Sequence, residues 1–263
     1  MVFEAADDMG GQLRMASASN WRKDISGIVQ WRRSELARLN VSIHFNILAG
    51  IDEVEAEQPD IVVVATGGLP HLGWFDGAEH CTSAWDVLTG ATALGDEVII
   101  YDGTGRYAAL TAAEKCHSNG THLALFLLDD RPATELVYSE RAIWKRSLAN
   151  SGILPITEQR LSRVEIIGNR YAAHFIHELT GAESTSIADQ IIVEQGTVPA
   201  DEIYQQLRSR SGNDGVTDID ALLAGDPQPE NGNGYVLYRI GDAISSRNVA
   251  AAMFDALRLC SVF

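Results

Sequence analysis

A chain of 263 residues, 46% hydrophobic and 21% charged, has the make-up of a soluble globular protein and the length for one or two domains. Its formal net charge of −16 excludes the basic face that nucleic acid or an anionic membrane would need. Cys81, Cys116 and Cys260 stand far apart with no C-x-x-C pair, which predicts buried or partly buried free thiols and no disulfide framework or iron–sulfur site. No apolar run approaches the ~18 residues of a membrane span. The N-terminus, with Glu4, Asp7 and Asp8, lacks the order of a signal peptide, so the expected compartment is the cytoplasm.

The first element is a strand, Val2-Phe3-Glu4, leading to Asp8-Met9-Gly10-Gly11-Gln12-Leu13. In dinucleotide-binding folds such a strand ends in an acid that holds a ribose, roughly 20 residues after a G-x-G-x-x-G turn. Only three residues precede Glu4, so that turn is not in this sequence. Gly10 to Ser19 reads as a loop. Asp24 to Leu39 predicts a helix through Ile25, Ile28, Val29, Leu36 and Leu39, with Asn40 as a left-handed stop. Val41 to Phe45 alternates as a strand. Asp60 to Gly68 is a continuous apolar run closed by glycines, expected as a strand buried on both faces of a parallel sheet.

A second unit begins near Gly95. Glu97 to Asp102 is a buried strand, Gly103-Thr104-Gly105 its turn, Ala108 to Cys116 a helix and His122 to Leu128 the next strand. Tyr138 to Asn150 reads as a helix. Leu161 to Ile166 and Tyr171 to Leu179 read as strands around a Gly168-Asn169 hairpin turn, and Ala188 to Glu194 as a further strand. Ser209 to Pro229 reads as a linker with a short helix at Asp218 to Leu223. Tyr235 to Ile240 is a last strand; Gly241-Asp242 leads to a helix from about Ser246 to Leu259.

Several stretches, in order and along the whole chain, resemble a flavoenzyme family. They are Phe3-Glu4-Ala5-Ala6-Asp7 with Gly10-Gly11-Gln12-Leu13, Val63-Val64-Ala65-Thr66-Gly67-Gly68, Val193 to Glu202, Arg239-Ile240-Gly241-Asp242-Ala243, Ser246-Arg247-Asn248 and Asp255-Ala256-Leu257-Arg258. The family includes trimethylamine dehydrogenase, histamine dehydrogenase, dienoyl-CoA reductase and the N-methylproline and dimethylglycine demethylases; the pattern is most similar to the demethylases. The resemblance implies the C-terminal dinucleotide-binding region of such an NADH:flavin oxidoreductase, without the flavin barrel and its iron–sulfur cluster. The implied fold class is α/β: two Rossmann-like three-layer units, the second inserted into the first, and the first truncated at its N-terminus. Residues 1–95 plus 230–263 would form an FAD/ADP-binding-like domain, and residues 96–229 an inserted NAD(P)-binding-like domain.

The cofactor-binding candidates follow from both sources. Glu4 suits a ribose; its bland alternative is an exposed terminal acid. Gly10, Gly11 and Gln12 suit a phosphate or adenosine, or a plain turn. Ala49 matches a position whose backbone contacts adenine. Thr66, Gly67 and Gly68 lie where α/β sheets bind ligands, or merely end a strand. Gly241 and Asp242 precede a helix start, where Asp242 would hold a ribityl chain or cap the helix. Arg247 is a phosphate or interdomain contact, or a solvated arginine. The second turn puts Tyr107 and Ala108 where a third glycine belongs, which disfavours NAD(P). His174 and His177, three apart in a strand, make a poor metal pair, and no catalytic residue is expected. The expected ligands are ADP or FAD, or none; the expected partners are a flavin-barrel subunit or a second copy, with no nucleic acid or membrane. Three functions follow: a nucleotide-binding portion inactive alone, a stand-alone FAD/NAD(P)H-dependent reductase, or a non-enzymatic remnant without nucleotide.

Overall fold

The computed structural model describes residues 1–229, 232, 234–261 and 263. In chain order the strands are β1 (Val2–Glu4), β2 (Ile43–Phe45), β3 (Ile61–Val64), β4 (Gly68–Pro70), β5 (Thr82–Ser83), β6 (Glu97–Asp102), β7 (His122–Leu127), β8 (Gln159–Ile167), β9 (Arg170–His177), β10 (Glu183–Ala188), β11 (Gln190–Glu194), β12 (Thr197–Pro199) and β13 (Val236–Arg239). The helices are α1 (Gln12–Ala16), α2 (Ser26–Arg38), α3 (Ile51–Ala56), α4 (Ala84–Thr89), α5 (Ala108–Ser118), α6 (Tyr138–Asn150), α7 (Glu202–Leu207), α8 (Ile219–Ala224) and α9 (Val249–Cys260). Unit 1 comprises Met1–Gly11, Gly27–Leu69 and Thr197–Phe263; unit 2 comprises Gln12–Ser26 and Pro70–Gly196. The chain passes between the two units at residues 11/12, 26/27, 69/70 and 196/197; residue 230, an expected boundary, lies outside the described residues.

Unit 1 carries two separate parallel pairs. β1 pairs with β2, Val2 opposite Ile43 and Glu4 opposite Phe45. β3 pairs with β13, Ile61 opposite Val236 and Val64 opposite Arg239. Asn213, buried, covers the other edge of β13: its Nδ2 donates to the Leu237 carbonyl at 2.9 Å and its Oδ1 accepts from Leu237 N at 2.8 Å. Val64, Leu237, Tyr204, Leu207, Tyr235 and Ala243 form the buried core. β3 is not the strand buried on both faces that its apolar run predicts. It has one strand neighbour, only Val64 is buried, and Ile61 is exposed. Helix α2 forms as its spacing predicts and Asn40 ends it at φ 54°, yet none of its residues is buried, and Ile28 and Trp31 are exposed. Helix α9 starts at Val249, later than expected, because Asn248 is its N-cap: Oδ1 accepts from Ala251 N at 2.9 Å. Asn248→Ala is expected to lose about 1 kcal/mol, lowering Tm by roughly 2–4 °C, while Asn248→Asp keeps the wild-type value. An unchanged Tm for the alanine variant in a thermal melt would contradict the capping role.

Unit 2 is a sandwich built on one parallel sheet, ordered β5-β11-β6-β7. Alternation sends Val98, Ile100, Leu125 and Ile192 to one face, against α4, α5 and α6, with Trp144 fully buried among them. Ile99, Tyr101, Phe126, Ile191 and Val193 point to the other face. That face is covered by the antiparallel sheet β10-β9-β8, through Leu161, Val164, Ala173 and Phe175. The third layer is thus β-structure in place of helices. The Gly168-Asn169 hairpin is present, Gly168 at φ 64°. Two expectations fail. The expected strand Ala188 to Glu194 is broken at Asp189: Ala188 closes the antiparallel β10, and Gln190 opens the parallel β11. The expected loop Gly10 to Ser19 contains α1, because Gln12, Leu13, Arg14, Met15 and Ala16 are all good helix formers and Met15 is buried in the core. The cysteines are free, but Cys260 is exposed, not buried or partly buried.

Candidate functional site

The candidate residues of unit 1 gather at the C-terminal ends of its two strand pairs. On the first pair, β1 ends at Glu4, whose carbonyl accepts from Ile47 N at 3.0 Å. Its carboxylate Oε1 accepts from Ala6 N at 2.9 Å, which fixes the turn after the strand. Gly10 and Gly11 follow at φ 120° and 45°, values that favour glycine, and an added Cβ on Gly11 would meet open space. Ala49 lies half-buried in the loop before α3, where Gly50 N donates to Glu53 Oε2 at 2.8 Å. Gln12 opens the first segment of unit 2, and its carbonyl accepts from Tyr107 Oη at 3.4 Å.

On the second pair, Ile240 N donates to the Val64 carbonyl, so the segment after β13 returns beside the segment after β3. That register brings Gly241 and Asp242 to the same end as Thr66, Gly67 and Gly68. Thr66 Oγ1 donates to the Ala200 carbonyl, and Ala200 N donates to the Gly67 carbonyl at 3.0 Å. A Cβ on Gly68 would lie 2.9 Å from the Val198 carbonyl, so glycine is required there for close packing on β12. Gly67, at φ 74°, borders open space. Asp242 is buried, and its Oδ1 accepts from Arg247 N at 3.0 Å. It thus holds the segment before α9, while the helix itself is capped by Asn248. Gly241 N donates to Asp255 Oδ2 at 3.0 Å, and Arg247 is ion-paired with Asp255. No strand pairing joins the Glu4 group to the Thr66 group among the described residues.

In unit 2 the structure adds two residues that the sequence reading passed over. Asp102 and Glu194 close the adjacent strands β6 and β11, register partners and both buried. Asp102 Oδ1 accepts from Thr104 N at 3.0 Å, Thr104 Oγ1 at 3.1 Å and Gly105 N at 3.0 Å. The Thr104 and Gly105 N–H groups of this turn, which in a dinucleotide fold would face a phosphate, are directed at the chain's own Asp102 carboxylate, and Gly103 N donates to the Glu194 carbonyl at 2.9 Å. Asp102 Oδ2 is buried with no hydrogen-bond partner. Burial pushes Asp102 up to about 6, its turn hydrogen bonds opposing the rise. Burial and the Asp102 charge push Glu194 up to about 7. The sequence shows only that Glu194 ends the apolar run Ile191-Ile192-Val193, which marks a strand end and not its burial. His174 bonds Glu165 and Thr185, and no group of three metal-ligating side chains occurs among the described residues. None of the described helices is long and apolar enough to cross a membrane.

The fold is mixed α/β with parallel sheets. It superposes on 2-naphthoyl-CoA reductase with a TM-score of 0.80 at 20% identity, covering 98% of this chain and 35% of that one. For histamine dehydrogenase from Rhizobium sp. 4-9 the TM-score is 0.78 at 18% identity, covering 97% and 39%. In sequence the chain is 40% identical over 265 residues to a multifunctional alkene reductase/demethylase of Caballeronia cordobensis, across 98% of this chain and 39% of the relative. It is 39% identical over 263 residues to a probable N-methylproline demethylase of Rhizobium meliloti, with the same coverage. It is 35% identical over 277 residues to an N,N-dimethylglycine/sarcosine dehydrogenase of Chromohalobacter salexigens, across 100% and 40%. The chain thus spans about two fifths of the length of the curated relatives it matches. No family model matches it. These similarities agree with the resemblance to amine demethylases drawn from the sequence.

Proposed function

We propose that this chain is the nucleotide-binding portion, for ADP or FAD, of a cytoplasmic flavin-dependent oxidoreductase resembling amine dehydrogenases and demethylases, and that alone it turns over no amine. The observation that carries this reading is the 40% identity along nearly the whole chain to a reductase/demethylase more than twice its length. In this reading the fold is two Rossmann-like units, the second inserted into the first, and the partner is a flavin-barrel subunit or a second copy. The residues present fit the adenosine half of such a ligand. Glu4 lies at a strand end with a carboxylate for ribose hydroxyls, and Gly11 and Gly67 border open space. Neither turn offers a pyrophosphate cradle: the G-x-G-x-x-G turn is not among these residues, and the turn amides of unit 2 are taken, Thr104 and Gly105 by the Asp102 carboxylate and Gly103 by the Glu194 carbonyl. That supports ADP or FAD on unit 1 over NAD(P) on unit 2.

The test is the visible spectrum of the purified protein, with mass spectrometry of anything released on denaturation and calorimetric titration with ADP. Released FAD or ADP, or saturable ADP binding, is the expected result. Glu4→Gln should weaken that binding about tenfold to a hundredfold, the worth of one charge-assisted hydrogen-bonded contact. A colourless protein that shows no heat with ADP or FAD would replace this reading with a fold that binds no nucleotide.

A further inference from the structure

The two sheets of unit 2 have four edges, and the chain itself closes or shortens three of them. At the edge of β7, Leu127 N donates to the Ile156 carbonyl at 2.9 Å and Ile156 N to the Leu125 carbonyl at 2.8 Å. At the edge of β8, Val164 N donates to the Asp76 carbonyl at 2.8 Å, a bridge that holds the middle of the strand. β5 is only Thr82–Ser83, too short to template another strand. The fourth edge is β10, last in the order β10-β9-β8. It is six residues long, and no strand among the described residues pairs with its outer side.

The hairpin fixes which backbone groups of β10 point outward. His177 N donates to the Ala182 carbonyl at 2.9 Å, so these two residues form a hydrogen-bonded pair. The register continues with Glu183 opposite Ile176, Ser184 opposite Phe175 and Thr185 opposite His174. Antiparallel ladders alternate bonded and non-bonded pairs, so Ser184, Ser186 and Ala188 bond β9. Glu183, Thr185 and Ile187 turn their N–H and C=O groups to the open edge. The Ile187 carbonyl accepts from Arg170 Nη2 at 3.3 Å, which uses one of its two lone pairs. The usual guards of an edge strand are missing: Glu183–Ala188 holds no lysine or proline, its register has no bulge, and its one charge is at its first residue. Glu183, Thr185 and Ile187 are all exposed.

We propose that β10 is a self-association surface, through which two copies of this chain pair antiparallel and join their three-stranded sheets across a twofold axis. The strand is complementary to itself. With Thr185 on the axis, Thr185 faces Thr185, Glu183 faces Ile187 and Ser184 faces Ser186 of the second copy. The outward residues share one parity, so every outward N–H meets an outward C=O. Threonine and serine pairs across strands are favourable, and no like charges oppose one another in this register. The contact is isologous and closes at two copies, because each copy uses its open edge. Strands of this length run about 20 Å and bury less than the ~1,200 Å² at which stable interfaces begin, so the dimer is weak and depends on concentration. A second copy is one of the two partners of the proposed function, but this pairing rests on the hairpin register and needs no nucleotide.

The experiment is sedimentation equilibrium of the full chain, nucleotide-free, from about 10 μM to about 1 mM, in about 0.15 M salt to screen the −16 charge of each copy. The mass is expected to rise from monomer toward dimer and no further. Thr185→Pro removes an N–H that β9 does not use and should stay monomeric while melting as wild type does. Thr185→Lys and Thr185→Glu decide the matter if the proline variant does not fold. Each alone sets like charges face to face on the axis and should be monomeric; mixed in equal amounts they should dimerise at least tenfold more tightly than either alone. All three variants lose the exposed Thr185–His174 hydrogen bond, so its loss cannot explain recovery on mixing. The proposal is overturned if the wild type stays monomeric throughout, if it grows beyond two copies, if the Thr185 variants dimerise as it does, or if mixing restores nothing. No sample contains nucleotide, so this result and the ADP titration fail separately.

Discussion

Gly77→Ala is expected to destabilise unit 2 by about 3–5 kcal/mol, the largest loss foreseen for any single methyl group added to this protein. Gly77 adopts φ 83°, and a Cβ built there falls inside the Val164 carbonyl. Val164 cannot retreat. It is buried in the core, its strand β8 is paired along its length with β9, and Val164 N donates to the Asp76 carbonyl at 2.8 Å. Left-handed backbone alone costs a non-glycine residue about 1–2 kcal/mol; the remainder is the clash. Gly90→Ala separates the two terms, since Gly90 has φ 80° but nothing within 4 Å of an added Cβ. That variant should lose only the backbone cost. Urea unfolding of both variants decides the matter: equal midpoints would mean that the Val164 backbone yields and that the β8 packing is softer than its burial implies.

The second large effect is a dependence on pH opposite to ordinary acid denaturation. Asp102 is raised from 3.8 to about 6 and Glu194 from 4.5 to about 7, chiefly by burial. The folded state therefore holds protons that the unfolded chain has already released. Wherever the native state binds more protons, stability falls as pH rises. The contribution of these two groups is fully present below about pH 4, declines between pH 4 and 7, and is lost above pH 7. One pKa unit corresponds to 1.36 kcal/mol, so the pair accounts for a decline on the order of a few kcal/mol. Asp102→Asn keeps an acceptor for the Thr104 and Gly105 N–H groups and should flatten the lower part of the window; Glu194→Gln should flatten the upper part. The double variant controls for the general repulsion of a chain carrying −16 charges. Urea midpoints measured from pH 4 to 8 provide the check. A wild-type midpoint that rises over that range, or a double variant that declines as steeply as wild type, would remove the pair from any role in stability.

Local signals carried most of the elements. The α2 spacing with its Asn40 stop, the Gly168-Asn169 turn and the short helix near Asp218 to Leu223 all depend on neighbours within a few residues, and each lies close to where the sequence places it. What depends on distant partners was not legible. The run Ile61–Val64 has the composition of a buried strand but lacks a second neighbour, and composition does not record neighbours. The break at Asp189 arises because two sheets of opposite pairing meet there, which no period in the sequence announces. At the candidate site, the acid at Glu4 and the glycines were legible as strand ends and left-handed turns. The burial of Asp102 and Glu194 was not, because a carboxylate in an apolar run gives no sign of whether water reaches it.

The chain passes between the two units at residues 11/12, 26/27, 69/70 and 196/197. During synthesis from the N-terminus, every residue of unit 2 has been made once Gly196 is joined, whereas unit 1 still waits for its last 67 residues, β13 and the cap of α9 among them. On a ribosome adding about 5–20 residues per second, that is a delay of seconds in which β1, β2 and β3 exist without the strand that holds β3. Vectorial synthesis thus completes the residues of one unit's core while the other still lacks the strand that pairs with β3, so the order of synthesis favours assembly of unit 2 before unit 1.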